Sequence, residues 1–166
     1  RLEVKSKREN VDYKKLIAEG ACFAEGEEVI DYDFVERWIL GMAERFGVEV
    51  VQVGYDRYNA ISTVQKLEAN GMECVEVKQH SSVLHPPTKL LREAILKREF
   101  AYDENRLLEI NFQNARCTED TNLNKYVNKK RSAGKVDMVI SIIIALYLMQ
   151  ADMLSNTELS WGIQVI

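Results

Sequence analysis

Two aspartates stand where an acid has chemical reach. Asp56 closes VVQVGYD at 50–56, a strand-forming run that ends on a bare carboxylate instead of a glycine-rich turn. A buried strand that carries a carboxylate to its C-terminal edge places charge at the mouth of an α/β sheet, where ligands bind. Asp137 ends GKVD at 134–137 and opens a nearly continuous apolar run. Each acid also has an ordinary explanation, Asp56 as the residue that starts a turn and Asp137 as a helix-start carboxylate facing the helix dipole. Taken together they suggest more, because a strand-end and a helix-start carboxylate can converge on divalent cations. Phosphodiester cleavage with two such ions about 4 Å apart uses clustered hard oxygen ligands, one ion activating water and the other stabilising the departing oxygen. Lys125, Lys129, Lys130, Arg131 and Lys135 lie just before Asp137, so positive charge for a phosphate backbone adjoins the acid. A solvated loop would have the same composition.

Other chemistries lack an anchor. The sequence has no G-x-G-x-x-G, P-loop, H-E-x-x-H or G-x-S-x-G pattern, so nucleotide hydrolysis and the common hydrolase mechanisms are not indicated. His80 and His85 flank one loop without metal-ligand spacing and read as surface histidines. Cys22, Cys74 and Cys117 are odd in number and far apart, which suggests neither a disulfide framework nor a zinc knuckle and fits a reducing compartment. A formal net charge of −4 argues against a protein that coats nucleic acid, while leaving room for a local basic face.

The elements that must position these residues follow from periodicity. With 166 residues and 46% hydrophobic content, the chain suits a single domain, 1–166. It starts at Arg1 with neither an initiator methionine nor an apolar signal segment, and its N-terminus is expected to be a cut edge of something larger. The charged stretch 1–10 reads as a solvated lead-in, and 21–24 with 28–30 as two short strands around Gly26. Asp33 with Glu36 gives an acidic capping-box pattern for a helix whose apolar face carries Phe34, Trp38 and Phe46, ending at Gly47. A strand over 48–53, a helix over 59–69 and a strand over 73–78 form a β-α-β unit with parallel pairing. A polar loop over 79–84 precedes a helix begun by Pro86 and Pro87; that loop is either an ordinary connection or a DNA contact. Residues 107–114 fit a helix slightly better than a strand, 125–129 a strand, and 136–150 a closing buried helix. The apolar run 138–149, broken only by Ser141, is shorter than the ~20 residues a membrane span needs.

These residues also resemble a known family. Asp31-Tyr32 before the amphipathic helix, GYDRYNA at 54–60, then Gly71, Gln79, Asn114, Asp120, and Lys129 through Lys135-Val136-Asp137 with Ala145-Leu146 resemble, in that order, the nuclease domain of tailed-phage (HK97-like) large terminase subunits. The resemblance extends over roughly residues 20–150, and the joining of YDRYNA to a basic-Val-Asp helix start is its most specific part. It implies a ribonuclease H-like fold, an α/β arrangement with a mixed β-sheet flanked by helices. It also implies an Mg²⁺- or Mn²⁺-dependent endonuclease that cuts concatemeric phage DNA during packaging in the bacterial host cytoplasm. Its partners would be double-stranded DNA, the portal and the small terminase subunit, with no membrane.

By the same resemblance Asp56 and Asp137 match the second and third acids of the family's metal cluster, as catalytic and metal-ligating residues. Lys129, Lys130 and Lys135 would attract DNA phosphates, and Asn114 would serve in positioning. The family's first acid lies on a strand upstream of Arg1, and its ATPase motor domain precedes the nuclease, so the chain reads as a fragment lacking both. Two alternatives stay open: a ribonuclease H-like junction resolvase, and a non-catalytic prophage remnant or docking module of the packaging machine.

Overall fold

The computed structural model describes residues 1–26, 29–58 and 60–163, with side chains through residue 155. Eight helices and four short strands are formed among these residues: α1 (Leu2–Glu9), α2 (Tyr13–Ala18), α3 (Tyr32–Leu40), α4 (Met42–Phe46), β1 (Gln52–Tyr55), α5 (Ile61–Ala69), β2 (Glu73–Glu76), α6 (Ser81–Lys97), α7 (Arg106–Asn114), β3 (Cys117–Glu119), β4 (Lys125–Val127) and α8 (Asp137–Ile163).

The β-α-β unit is present. β1 and β2 pair in parallel from Gln52 opposite Glu73 to Tyr55 opposite Glu76, with α5 as the crossover. β1 begins four residues later than periodicity predicts, because a strand forms only where a partner receives its hydrogen bonds, and β2 starts at Glu73. Asn59, the predicted start of the crossover helix, lies outside the described residues, and α5 starts at Ile61.

The expected mixed sheet is not continuous among the described residues. β3 and β4 form a separate antiparallel pair, with Cys117 opposite Val127 and Glu119 opposite Lys125. Joined by the short turn 120–124, these strands satisfy each other locally, and β4 packs on α6. The turn is built on Asp120, whose carboxylate accepts from the backbone N–H groups of Asn122 (2.8 Å) and Asn124 (2.9 Å), from Asn124 Nδ2 (3.0 Å) and from Ser81 Oγ on α6 (2.5 Å). The Ser81 hydroxyl, followed by the Asn124 side chain and backbone, holds the Asp120 carboxyl far below the usual carboxylate range. A depressed folded-state pKa contributes stability that is complete above the unfolded value of about 3.9 and is lost as pH falls toward the folded value. Urea midpoints measured from pH 5 to pH 2 therefore decline more steeply for the native sequence than for Asp120→Asn.

Several local expectations are corrected. The lead-in has no buried residue, as a solvated segment should, but it is ordered as the helix α1, ended by Asn10 in the left-handed region. Residues 22–26 carry no strand, and Glu28 of the second expected strand lies outside the described residues. The capping acid is Asp31, which accepts from Phe34 N at 3.1 Å, rather than Asp33. Asp33 instead pairs with Lys66 on α5 at 2.6 Å, and Lys66 also holds the buried Glu36 at 2.9 Å. Hydrogen bonds to Asp33 and then Glu36 push the Lys66 ammonium up to about 12, so one cation ties α3 to the crossover helix. The aromatic face forms as predicted, with Phe23 against Phe34 and Trp38, and Trp38 against Phe46 across the break at Gly41.

α6 starts at Ser81, well before the prolines. His80 supplies the cap, its Nδ1 accepting from Ser82 N. Pro86 and Pro87 remove the N–H groups that would bond the carbonyls of Ser82 and Val83, and an interior proline costs a helix about 3 kcal/mol, so only substantial burial can hold the helix through them. Burial of Leu84, Pro87 and Leu91 on one face outweighs this, at about 1.5–3 kcal/mol for a fully buried leucine. Four of the six residues of the expected loop 79–84 thereby lie in the helix, and its Ser81 is spent on Asp120.

α8 is longer than predicted. Asp137–Ser155 has a mean hydropathy of 1.8, long and apolar enough by length and composition to cross a membrane. Its Val139, Ile140, Ile143 and Leu148 are nonetheless buried in one cluster with Val77, Leu84, Leu91, Val127 and Val136. α8 is the core helix, packed on α6, α7 and β1.

Candidate nuclease site

The N-terminus of α8 and the turn before it are shaped by three asparagines. Asn128 follows β4, and its Oδ1 accepts from Lys130 N (3.0 Å) and Arg131 N (3.3 Å), while its carbonyl accepts from Ser132 N and Ser132 Oγ. That is the local chemistry by which an Asn opens a turn, and it presents Lys129, Lys130 and Arg131 to solvent. Asn114 closes α7 and holds the descending segment, its carbonyl accepting from Ala133 N (3.0 Å) and its Nδ2 donating to Lys135 O (3.1 Å). Gly134 allows this approach, since a Cβ there would lie 2.7 Å from Asn114 Nδ2. Asn111, only 3% exposed, donates to Leu107 O and accepts from Met138 N at 3.2 Å, satisfying a first-turn amide of α8.

Asp137 therefore starts the core helix on a braced segment with its own side chain exposed. Its Oδ1 pairs with Lys129 Nζ at 3.1 Å. Both groups are more than half exposed, a setting in which an ion pair is worth little to stability and remains accessible to ligand.

Asp137, Lys129, Lys135 and Asn114 line one cleft of about 530 Å³. The same cleft is lined from α1 and the start of α2 by Arg8, Glu9 and Tyr13. Tyr13 Oη donates to Glu9 Oε2 at 2.6 Å, and Arg8 donates to Glu9 Oε1 at 2.9 Å. Burial pushes the Glu9 carboxyl up, but the bonds from Tyr13 and Arg8, with Lys5 and Lys135 nearby, outweigh it and hold the group below its ordinary value. Glu9 is thus an ionised neighbour of Lys135. Burial, then the bond to Glu9, drives the Tyr13 hydroxyl far above its usual range.

Asp56 is exposed at the end of β1 and accepts from Tyr58 N at 3.4 Å, the turn-opening contact. It is not among the residues lining the Asp137 cleft, and neither is Lys130. What the two acids share is α8. Gly54, two residues before Asp56, lies against Ile144 and Leu148, and Asp137 begins the same helix two turns before Ile144. Among the described residues no three of His, Cys, Asp or Glu gather as a metal-holding group.

The two histidines have structural partners. His80 caps α6, and His85 Nδ1 accepts from Lys125 N at 2.8 Å, pinning α6 to β4. Sequence reasoning passed over Asn111, Asn128 and the Arg8-Glu9-Tyr13 wall. The position of Asn128 at the end of a predicted strand, before a basic run, was a usable turn signal; nothing local marked Arg8.

Comparison with known proteins places this geometry. The structure is similar to the crystal structure of the HK97 bacteriophage large terminase, with a TM-score of 0.79 and 20% sequence identity over 89% of this chain and 31% of that one. The chain thus spans about a third of that protein's length. Comparison with curated proteins gives no match. The sequence profile of the family described as terminase large subunit, endonuclease domain, matches residues 1–152. That match takes in every element from α1 through the buried turns of α8, and the chain belongs to the terminase large subunit endonuclease domain family.

Proposed function

We propose that this domain hydrolyses phosphodiester bonds of double-stranded phage DNA during genome packaging, with Mg²⁺ or Mn²⁺ as cofactor. The observation that carries the reading, beside family membership, is Asp137: an exposed carboxylate at the start of the core helix, in a cleft it shares with Lys129, Lys135 and Asn114. Likeness to the HK97 protein supports a ribonuclease H-like arrangement.

The donor chemistry suits a hard divalent ion. Asp56 and Asp137 each offer exposed carboxylate oxygens, the ligand type that Mg²⁺ and Mn²⁺ prefer. These two carboxylates would serve as metal ligands of a two-ion site, and the ions when bound would supply an activated water and charge stabilisation at the departing oxygen. The remaining work belongs to the chain. Lys129 orients the Asp137 carboxylate and, with Lys130 and Lys135, draws the phosphate backbone to the cleft. Asn114 sets the course of 133–135 and so the placement of Lys135 and Asp137. In the packaging machine the portal and the small terminase subunit are the protein partners, and the host cytoplasm is the compartment.

Nicking of supercoiled plasmid by the full-length protein with Mn²⁺ tests this. Metal-dependent nicking that is lost in both Asp56→Asn and Asp137→Asn supports it. Failure to nick, with portal or small-subunit binding that survives both substitutions, would replace it with the docking-module reading.

A further inference from the structure

The part of the cleft that α1 contributes bears charge of its own. α1 carries Lys5, Lys7 and Arg8, and of these only Arg8 lines the cleft with Lys129 and Lys135. Arg8 is separated by more than a hundred residues from the basic turn with which it shares this cleft.

We propose that Arg8 is a phosphate-contacting residue of the DNA path, so that α1 and the turn 129–135 both contact the backbone of one strand within the cleft that holds Asp137; this rests on the nuclease reading above. The cleft, at about 530 Å³, has the size of a small-molecule pocket. It accepts a phosphate with its flanking sugars while the rest of the duplex lies over the rim. Arg8 suits this role because guanidinium presents five donors in a fork that matches phosphate oxygens. The 2.9 Å bond to Glu9 engages one end of that fork, and Glu9 is itself fixed by Tyr13, 8% exposed. The Glu9–Tyr13 pair thus orients the guanidinium at little entropic cost. The Arg8 side chain is 70% exposed, so it reaches a phosphate without a large desolvation cost. In a protein of net charge −4, a basic residue that shares a cleft with another basic tract is a local feature that steers DNA to one face.

The test is metal-free binding of a linear duplex to the full-length protein in EDTA, followed as a function of salt. Each phosphate contact contributes about 0.9 to the slope of log K against log salt. Arg8→Gln is expected to lower the magnitude of that slope by about 0.9, as Lys129→Gln does, and Arg8→Lys to restore it. Lys7→Gln removes the same charge one residue away, outside the cleft, and leaves the slope near the native value. A slope in Arg8→Gln equal to the native slope, with Lys129→Gln still reduced, overturns the role of Arg8 and leaves the nuclease reading standing. Equal losses in Arg8→Gln and Lys7→Gln overturn it as well, since diffuse charge would then account for both. Absence of duplex binding by the native protein at low salt overturns the nuclease reading itself.

Discussion

Asp137→Asn is expected to lower metal-dependent nicking by the full-length protein by roughly 100-fold or more, with little change in folding or in metal-free DNA binding. The size follows from position: changes to groups that merely support metal ligands cost about 10–100-fold, and a direct ligand should cost at least the upper figure. Little stability is at stake, because the carboxylate is largely exposed and its one ion pair, to Lys129, is a surface pair. The first-turn amide of Met138 is bonded by Asn111, which the substitution leaves in place. Asparagine keeps the shape and one oxygen but removes the charge, so the loss is electrostatic and not steric. Plasmid nicking with Mn²⁺ against a denaturation curve of the same preparation checks both halves. Native-level nicking by Asp137→Asn would remove the residue from the site.

Gly54→Val is expected to destabilise the fold by about 1–3 kcal/mol, the usual range for overpacking. A Cβ at Gly54 would collide with Ile144 Cγ2 and come within 3.0 Å of Leu148 Cδ1, and both of those residues belong to the core helix. β1 must then move off α8. Asp56, proposed above as a metal ligand, lies two residues further along the chain and is carried with it, and on that proposal a displacement of about 1 Å can cost about 10²-fold. Unfolding by urea and plasmid nicking report the two effects separately. The Gly54→Val, Ile144→Ala double variant should be less destabilised than the sum of the two single changes by at least about 0.5–1 kcal/mol, a coupling typical of residues in contact. Simple additivity of the two changes would place the strain elsewhere.

The sequence determined, by itself, what near neighbours encode. The crossover helix, the amphipathic aromatic face at 34–46, the helix over 107–114, the strand at 125 and the apolar closing helix were legible from spacing, and the structure bears them out with shifted ends. The resemblance to the family, carried by GYDRYNA and the basic-Val-Asp helix start, was legible too, and the family match bears out the membership. Where local signals competed, the tertiary structure chose. Two aspartates two residues apart could each cap α3, and Asp31 does so while Asp33 is drawn to Lys66. Prolines announced a helix start at 86, and burial of Leu84 and Leu91 moved it to 81. A mixed sheet was expected, and short-range closure of β3 on β4 gave two separate pairs among the described residues. The cleft is the fullest case. Basic residues at 129–135 and an acid at 137 are adjacent in any conformation, but Arg8, Glu9 and Tyr13 join them only because α1 and α2 fold back beside α7 and the start of α8. Asp56 and Asp137 are each visible in sequence, yet their relation runs through Gly54 against Ile144, a contact between residues ninety positions apart. Local chemistry is written in spacing, whereas contacts at that separation depend on how every intervening element packs.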